Sequence, residues 1–218
     1  MIRFIVSALV LGISCVMASA NAFQFNPTQP TSARNMHTFG ATTMPVGYYE
    51  YCRRYREECA RGPGSTMIKL TEPRWREIVS VNAEVNSAVA PLTDIEIFGV
   101  EERWEYPTTV GDCEDYALLK RKRLNEMGYP LGALLMTVAR DAKGGGHAVL
   151  TVVTDLGDFI LDNLEQKVVL WKDTEIYYLK RQSKEDLNRW VSLVNEEELL
   201  ISSGKSQAPS TAAASVKR

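Results

Sequence analysis

Residues 112–163 read DCEDYALLKRKRLNEMGYPLGALLMTVARDAKGGGHAVLTVVTDLGDFILDN, and this stretch decides the fold class. It opens on a helix from Cys113 to Met127. Asp112 suits the N-cap, Gly128 the C-cap, and Pro130 prevents continuation. Short β-rich apolar runs follow, separated by Gly and Asp: Leu134–Ala139, Ala148–Val153 and Phe159–Leu161. Val168–Trp171 and Ile176–Leu179 continue the series, and together they read as an antiparallel meander. Upstream, Trp75, Ile78, Val79, Asn82, Val85, Asn86 and Val89 fall on one face of a helix spanning Glu72–Ala90. Thr71 is its N-cap, Pro73 suits its first turn, and Pro91 ends it. Helices first and strands after predict an α+β domain. Asn82 and Asn86 lie on the apolar stripe, where a buried amide must be hydrogen-bonded, so they fix a loop or line a site.

The chain has 218 residues, which argues for one domain with tails. Hydrophobic residues are 45% and charged residues 24%, enough to build a core, so wholesale disorder is excluded. Lys and Arg total 25 against 27 Asp and Glu, so the basic surplus needed for nucleic-acid binding is absent. Two histidines exclude a His-rich zinc site.

Residues 1–22 carry Arg3, then an apolar run from Phe4 to Met17, then Ala18-Ser19-Ala20 and Ala20-Asn21-Ala22. That is the pattern of a secretory signal peptide, and it predicts export without a membrane span in the mature chain. Residues 23–47 read as an extended N-terminal segment, 48–200 as the domain, and 201–218 as a disordered low-complexity tail. Past residue 22 the cysteines are Cys52, Cys59 and Cys113. An oxidising compartment favours pairing, and Cys52 with Cys59 is the natural pair. Seven residues of regular helix would hold their Cα atoms ~10 Å apart, too far for a disulfide, so a bond requires Arg53–Glu58 to break from helix. Cys113 is then the odd thiol.

Cys113 sits in the first helical turn, where the helix dipole favours a thiolate. His147 opens the second strand, after Lys143-Gly144-Gly145-Gly146. Asp162 lies past a turn near Thr154–Gly157. A turn at Thr154-Asp155 sets His147 and Asp162 directly opposite. A turn at Asp155-Leu156 makes them diagonal neighbours on one face, ~7–8 Å apart. Either register lets a thiol, an imidazole and an orienting carboxylate converge for covalent acyl chemistry. Taken singly, each has an ordinary reading: a small buried Cys, a structural strand His, a turn Asp.

Asp112, Glu114 and Asp115 crowd the thiol. At ~7 Å and an effective dielectric of 40–80, each opposes thiolate by about 0.5–1 kcal/mol. The helix end returns about 0.3–1 kcal/mol. No basic residue stands at their i+4 positions, Tyr116, Leu118 and Leu119. A hard cation held by oxygen ligands would offset the repulsion. A capping cluster, with Asp112 as cap and Asp115 reaching back, would need no metal.

Gly111-Asp112-Cys113-Glu114-Asp115-Tyr116-Ala117, Gly146-His147-Ala148-Val149-Leu150 and Asp158-Phe159-Ile160-Leu161-Asp162-Asn163 resemble the bacterial transglutaminase-like cysteine peptidases. That family includes the LapG type, periplasmic proteases that clip large surface adhesins. Trp75–Asn86, Thr93-Asp94, Trp104-Glu105-Tyr106-Pro107 and Lys180-Arg181-Gln182 are also similar, so the likeness spans about residues 48–192. It implies a papain-like, transglutaminase-type fold. It also implies Cys113 as nucleophile, His147 as general base, Asp162 as the residue that orients the imidazole, and calcium control through Asp112 and Glu114. A surface adhesin as substrate and a membrane-bound regulator are the partners it suggests. The backbone N–H of Cys113 is one oxyanion donor, with Asn86 or Trp104 open as the second. The expectation is an exported cysteine endopeptidase. A transglutaminase or amidase using the same triad, or a non-enzymatic calcium-responsive binding module, are the alternatives.

Overall fold

The computed structural model describes residues 34–195. The expected signal peptide at 1–22, the first part of the expected 23–47 segment and the expected tail at 201–218 lie outside the described residues. Among those described, no helix is long and apolar enough to cross a membrane.

Nine strands and five helices follow in chain order: β1 (Ala41–Thr42), α1 (Val46–Arg54), α2 (Arg56–Ala60), α3 (Glu72–Ala88), β2 (Ala90–Pro91), α4 (Asp94–Phe98), β3 (Val110–Gly111), α5 (Cys113–Glu126), β4 (Leu134–Arg140), β5 (Gly146–Thr154), β6 (Gly157–Leu161), β7 (Val169–Leu170), β8 (Tyr177–Gln182) and β9 (Trp190–Ser192). Seven strands form one antiparallel sheet in the order β1-β9-β8-β4-β5-β6-β7. The expected meander holds only from β4 to β7. The chain then crosses back, and β8 pairs with the free edge of β4 instead of with β7. Local alternation cannot report this, because either sheet edge offers the same unpaired N–H and C=O groups.

Helix boundaries agree with the capping chemistry. Thr71 Oγ1 accepts from the Arg74 N–H, Pro73 occupies the first turn of α3, and Gly128 takes φ +91 just past the end of α5. The α5 N-cap differs from expectation. Asp112 holds the N-cap position, but its side chain makes no capping bond. Its carboxylate accepts the Asp94 N–H at 3.3 Å instead.

The core lies where α3 and α5 cover the sheet. Ile78, Val81 and Val85 of α3 and Ala117, Leu118 and Leu124 of α5 pack with Leu134, Leu135, Met136, Leu150 and Val152 of the strands. Each large aliphatic group buried this way contributes roughly 1.5–3 kcal/mol of apolar transfer. An aromatic extension of the same core joins the N-terminal helix to the sheet. Tyr48 contacts Tyr51, Trp104 and Trp190 at 5.4–5.7 Å between ring centroids. Trp190 is thereby core; Trp171 stacks edge-on against Tyr178 at the rim.

Cys52 and Cys59 are joined by a disulfide, with Cα atoms 5.6 Å apart. The helix breaks between them as the geometry demands: Tyr55 (φ −112, ψ 59) separates α1 from α2.

The N-terminal segment is also tied down. Asp158, fully buried on β6, accepts from the Met36 N–H at 2.9 Å, from Asn35 Nδ2 at 2.7 Å and from Arg181 Nη1 at 2.9 Å. Removing the cation would strand a buried carboxylate. Arg181→Met is therefore expected to cost about 3 kcal/mol or more, read as a lower urea midpoint at unchanged slope.

Candidate active site

Two connections build the site. The first is the short parallel pair β2–β3, with Ala90 opposite Val110 and Pro91 opposite Gly111. The Ala90 N–H donates to Thr109 O at 2.8 Å and the Leu92 N–H to Gly111 O at 3.1 Å. This clamps the end of α3 to the residue before Asp112, and so brings Thr93-Asp94 beside the start of α5. Gly111 is required there: a Cβ would lie 2.8 Å from the Asp115 carboxylate and 3.0 Å from Pro107.

The second connection is the β5–β6 hairpin. Thr154 pairs with Gly157, so the turn is Asp155-Leu156, and Asp162 falls diagonal to His147 on one face. Of the two registers open from the sequence, this is the diagonal one. The side chains bridge the offset, with His147 Nε2 2.9 Å from Asp162 Oδ1. Both residues are buried.

The loop that carries Asp162 is held from three sides. Asp162 Oδ1 also accepts the Leu164 N–H at 2.9 Å. Asn86 Nδ2 donates to the Asp162 carbonyl at 2.9 Å, and Asn82 Nδ2 to the Gln166 carbonyl at 3.1 Å. The two amides on the apolar stripe of α3 therefore fix this loop. Asn86 is thereby spent on the backbone of Asp162 and is not free as an oxyanion donor. Trp104, the other residue considered for that role, donates its Nε1–H to Glu102 at 3.0 Å.

Cys113, at the tip of α5, is the only free cysteine among the described residues. It shares a cleft of about 480 Å³ with His147, Ala148, Trp104, Val46 and Thr93. With Nε2 turned to Asp162, Nδ1 is the imidazole nitrogen left for the cleft. The thiol donates to Glu114 Oε2 at 3.1 Å. Burial pushes the thiol well above its ordinary range, and the charges of Glu114 and Asp112 push it further; the Ala148 backbone N–H acts in the opposite sense.

The acidic residues beside the thiol are crowded in three dimensions. Carboxylate oxygens of Asp94, Asp112 and Glu114 all lie within 4.8 Å of one another. Burial and the neighbouring Asp112 push Glu114 up to about 9, burial raises Asp112, and Asp94 is raised by burial and by Asp112 to about 6. Asp115 turns away from this trio. It accepts the Glu105 N–H at 2.7 Å and a bond from the Asp112 N–H, and burial raises it to about 8. The capping reading is thus half present: Asp115 reaches back, Asp112 does not cap.

Arg103 contributes its backbone N–H to Asp94, but its guanidinium goes to Glu105 at 3.6 Å and over the Phe98 ring. Asp94 Oδ1 and Asp112 Oδ1 are buried with no hydrogen-bond partner among the described residues. Buried acceptors are rarely left this way, and an all-oxygen donor set suits a hard cation such as calcium. The residues present fit that ion, with backbone carbonyls and water needed to complete six to eight ligands.

The structure brings Cys113 and His147 to one cleft, bonds Asp162 to the His147 ring, and gathers Asp112 and Glu114 in one cluster. From the sequence Asp94 enters only through the Thr93-Asp94 likeness, not as a cation ligand. Its Thr-Asp-Ile-Glu context reads as a capping box, which it forms: Thr93 Oγ1 accepts the Glu96 N–H and Glu96 accepts the Thr93 N–H. Lys120, fully buried on α5, gave no sequence signal beyond a charge on a helix.

A family model for the bacterial transglutaminase-like cysteine proteinase BTLCP matches residues 38–198. Among solved structures, Legionella pneumophila LapG is 26% identical, with a TM-score of 0.48 over 59% of this chain and 75% of that one. An EGTA-treated form of the same protein is 27% identical, with a TM-score of 0.47 over 56% and 68%. A calcium-bound form is 22% identical, with a TM-score of 0.48 over 67% and 88%. No curated protein matches the chain.

Proposed function

Because this chain belongs to the bacterial transglutaminase-like cysteine proteinases and is a cysteine peptidase, we propose that it is an exported endopeptidase run by Cys113, His147 and Asp162. The observation that carries the reading is the 2.9 Å His147–Asp162 bond, with His147 sharing a cleft with Cys113, the one free thiol among the described residues. His147 Nδ1 takes the thiol proton as sulfur attacks the peptide carbonyl carbon. It returns that proton to the departing amine, leaving a thioester on Cys113. Water, deprotonated by the same nitrogen, then releases the acid and restores the thiol. Asp162 holds Nε2–H and steadies the imidazolium. The Cys113 backbone N–H is the first oxyanion donor.

Asp94, Asp112 and Glu114 would hold a calcium ion. When bound, such an ion supplies positive charge that offsets the carboxylates opposing the Cys113 thiolate. Asp94 extends the pair expected from sequence, and its orphaned oxygen supports the extension.

The substrate is protein, as the family requires. We assign it to the large surface adhesins and the enzyme to the periplasm, with a membrane-bound regulator as partner. The signal-peptide pattern of residues 1–22 and the Cys52–Cys59 disulfide, a bond kept in oxidising compartments, support export. The test compares wild type with Cys113→Ala on envelope proteins from a host strain. Cleavage by wild type alone, with a thioester adduct trapped on Cys113, is the expected result. Equal cleavage by both proteins would overturn the assignment.

A further inference from the structure

Asp162 stands where the sheet stops holding the chain. The β5–β6 ladder ends with Leu161 opposite Leu150, and β7 reaches only Phe159 and Ile160. Asp162 is the next residue, so its backbone lies beyond the strand pairing. Its carboxylate must still meet His147 from a diagonal position, at 2.9 Å. A small shift of the backbone would lengthen or bend that bond, which weakens steeply with distance and angle. The loop is also not packed on every side. A cavity of about 400 Å³ borders it, lined by Asp162, Leu164, Glu165 and Lys167 of the loop and by no residue of α3. Leu164 is 66% exposed. The loop therefore has room to move away from α3.

The groups that oppose this movement come from α3 itself. Asn86 Nδ2 donates to the Asp162 carbonyl at 2.9 Å. Asn82, one turn earlier, donates from Nδ2 to the carbonyls of Gln166 at 3.1 Å and Glu165 at 3.4 Å. The two amides grip opposite ends of the loop, and Asn86 is the one that grips the residue touching His147. Both Oδ1 atoms are buried and have no hydrogen-bond partner among the described residues. An unmet buried oxygen opposes folding, and a leucine at either place on this apolar stripe would avoid it. The N–H is thus the part of each amide that the structure uses.

We propose that Asn86 is a positioning residue for the triad: its hydrogen bond to the Asp162 carbonyl holds the carboxylate within reach of His147, whereas Asn82 closes the far end of the loop and acts on stability alone. The inference rests on the triad reading above. Without Asn86 the Leu164 N–H still accompanies Asp162 Oδ1, but Leu164 belongs to the same loop and moves with it. The imidazole then loses its fixed partner, and with it the orientation that presents Nδ1 to the thiol.

The test compares kcat, KM and thermal melting of wild type, Asn86→Ala and Asn82→Ala on an envelope protein that wild type cleaves. In Asn86→Ala, kcat is expected to fall by about 10–100-fold with KM little changed, the scale of a catalytic group displaced by about 1 Å. Alkylation of Cys113 by iodoacetamide near neutral pH should slow as well. The downfield proton signal of His147 Nε2–H should shift or vanish. In Asn82→Ala the melting temperature should fall at least as far, because Asn82 is the more deeply buried of the two, while kcat and the His147 signal stay close to wild type. A wild-type kcat in Asn86→Ala, an unmoved His147 signal, or equal losses of kcat in the two alanine variants would overturn the proposal. If Asn86→Ala does not fold, Asn86→Ser, whose hydroxyl is too short to reach the carbonyl, carries the same comparison. Cys113→Ala, run in parallel, separates the two ideas. If it still cleaves, the triad reading fails; if it is dead while Asn86→Ala keeps the wild-type kcat, only the role of Asn86 fails.

Discussion

Replacing His147 by alanine is expected to lower kcat/KM by about 10²–10⁴, the usual contribution of a positioned general acid and base. The loss should appear in kcat, because the imidazole acts on the reacting atoms and contributes little to holding a peptide. Among the described residues His147 is the only imidazole in the cleft. His37, the second histidine, lies exposed in the N-terminal segment, and the remaining groups lining the cleft beside Cys113 are carboxylates, the Thr93 hydroxyl, the Trp104 indole, backbone, apolar side chains and Lys180. The fold should survive, since Asp162 keeps the Leu164 N–H and its carbonyl keeps Asn86. Single-turnover cleavage and the rate of Cys113 alkylation by iodoacetamide near neutral pH are the measurements. Both should fall together, because the same nitrogen accepts the thiol proton in each. Wild-type alkylation with lost cleavage would mean that His147 acts on the substrate and not on the sulfur.

The second large effect is on stability. Glu114 and Asp115 are held at about 9 and about 8, far above their values in an unfolded chain. For a carboxyl group raised on folding, the native state binds more protons than the unfolded state between the two pKa values. Stability therefore falls as pH rises through that window, here from about 4 to about 9. The chelated protein is expected to melt several degrees lower at pH 9 than at pH 5, the reverse of a protein whose carboxylates are paired with cations. Calcium binding to Asp94, Asp112 and Glu114 should raise the melting temperature at pH 8 and flatten the slope, because the bound ion favours the charged carboxylates. Glu114→Gln should flatten the slope without calcium and weaken the calcium effect. A melting temperature that climbs with pH in chelator, or one that calcium leaves unmoved at pH 8, would count against the cluster as a cation site.

The carboxylate cluster shows why sequence spacing underestimated this site. Asp112 and Glu114 flank the cysteine and are visible at once. Asp94 lies eighteen residues before Asp112 and inside a well-formed capping box, so its local role is complete without a metal. Only the β2–β3 clamp carries it to the others. Asn86 shows the same gap from the other side. The stripe on α3 marks it as buried and in need of a partner, but the sequence left open whether it holds a loop or an oxyanion. The carbonyl of Asp162 answers that.

By itself the sequence determined what short-range physics controls. Helical and strand periodicities set α3, α5 and the strands from β4 to β6. The seven-residue separation of Cys52 and Cys59 forced a helix break if they were to bond. The turn near Asp155 put His147 and Asp162 on one face in either register, because side chains alternate with a period of two. What only the tertiary structure decided depends on contacts between distant segments: β8 returning beside β4, Asp94 joining Asp112 and Glu114, and Asn86 reaching the Asp162 carbonyl. Each such contact is set by competition among whole-chain packings, where unpaired edges and apolar faces are interchangeable locally and distinguishable only when the core closes.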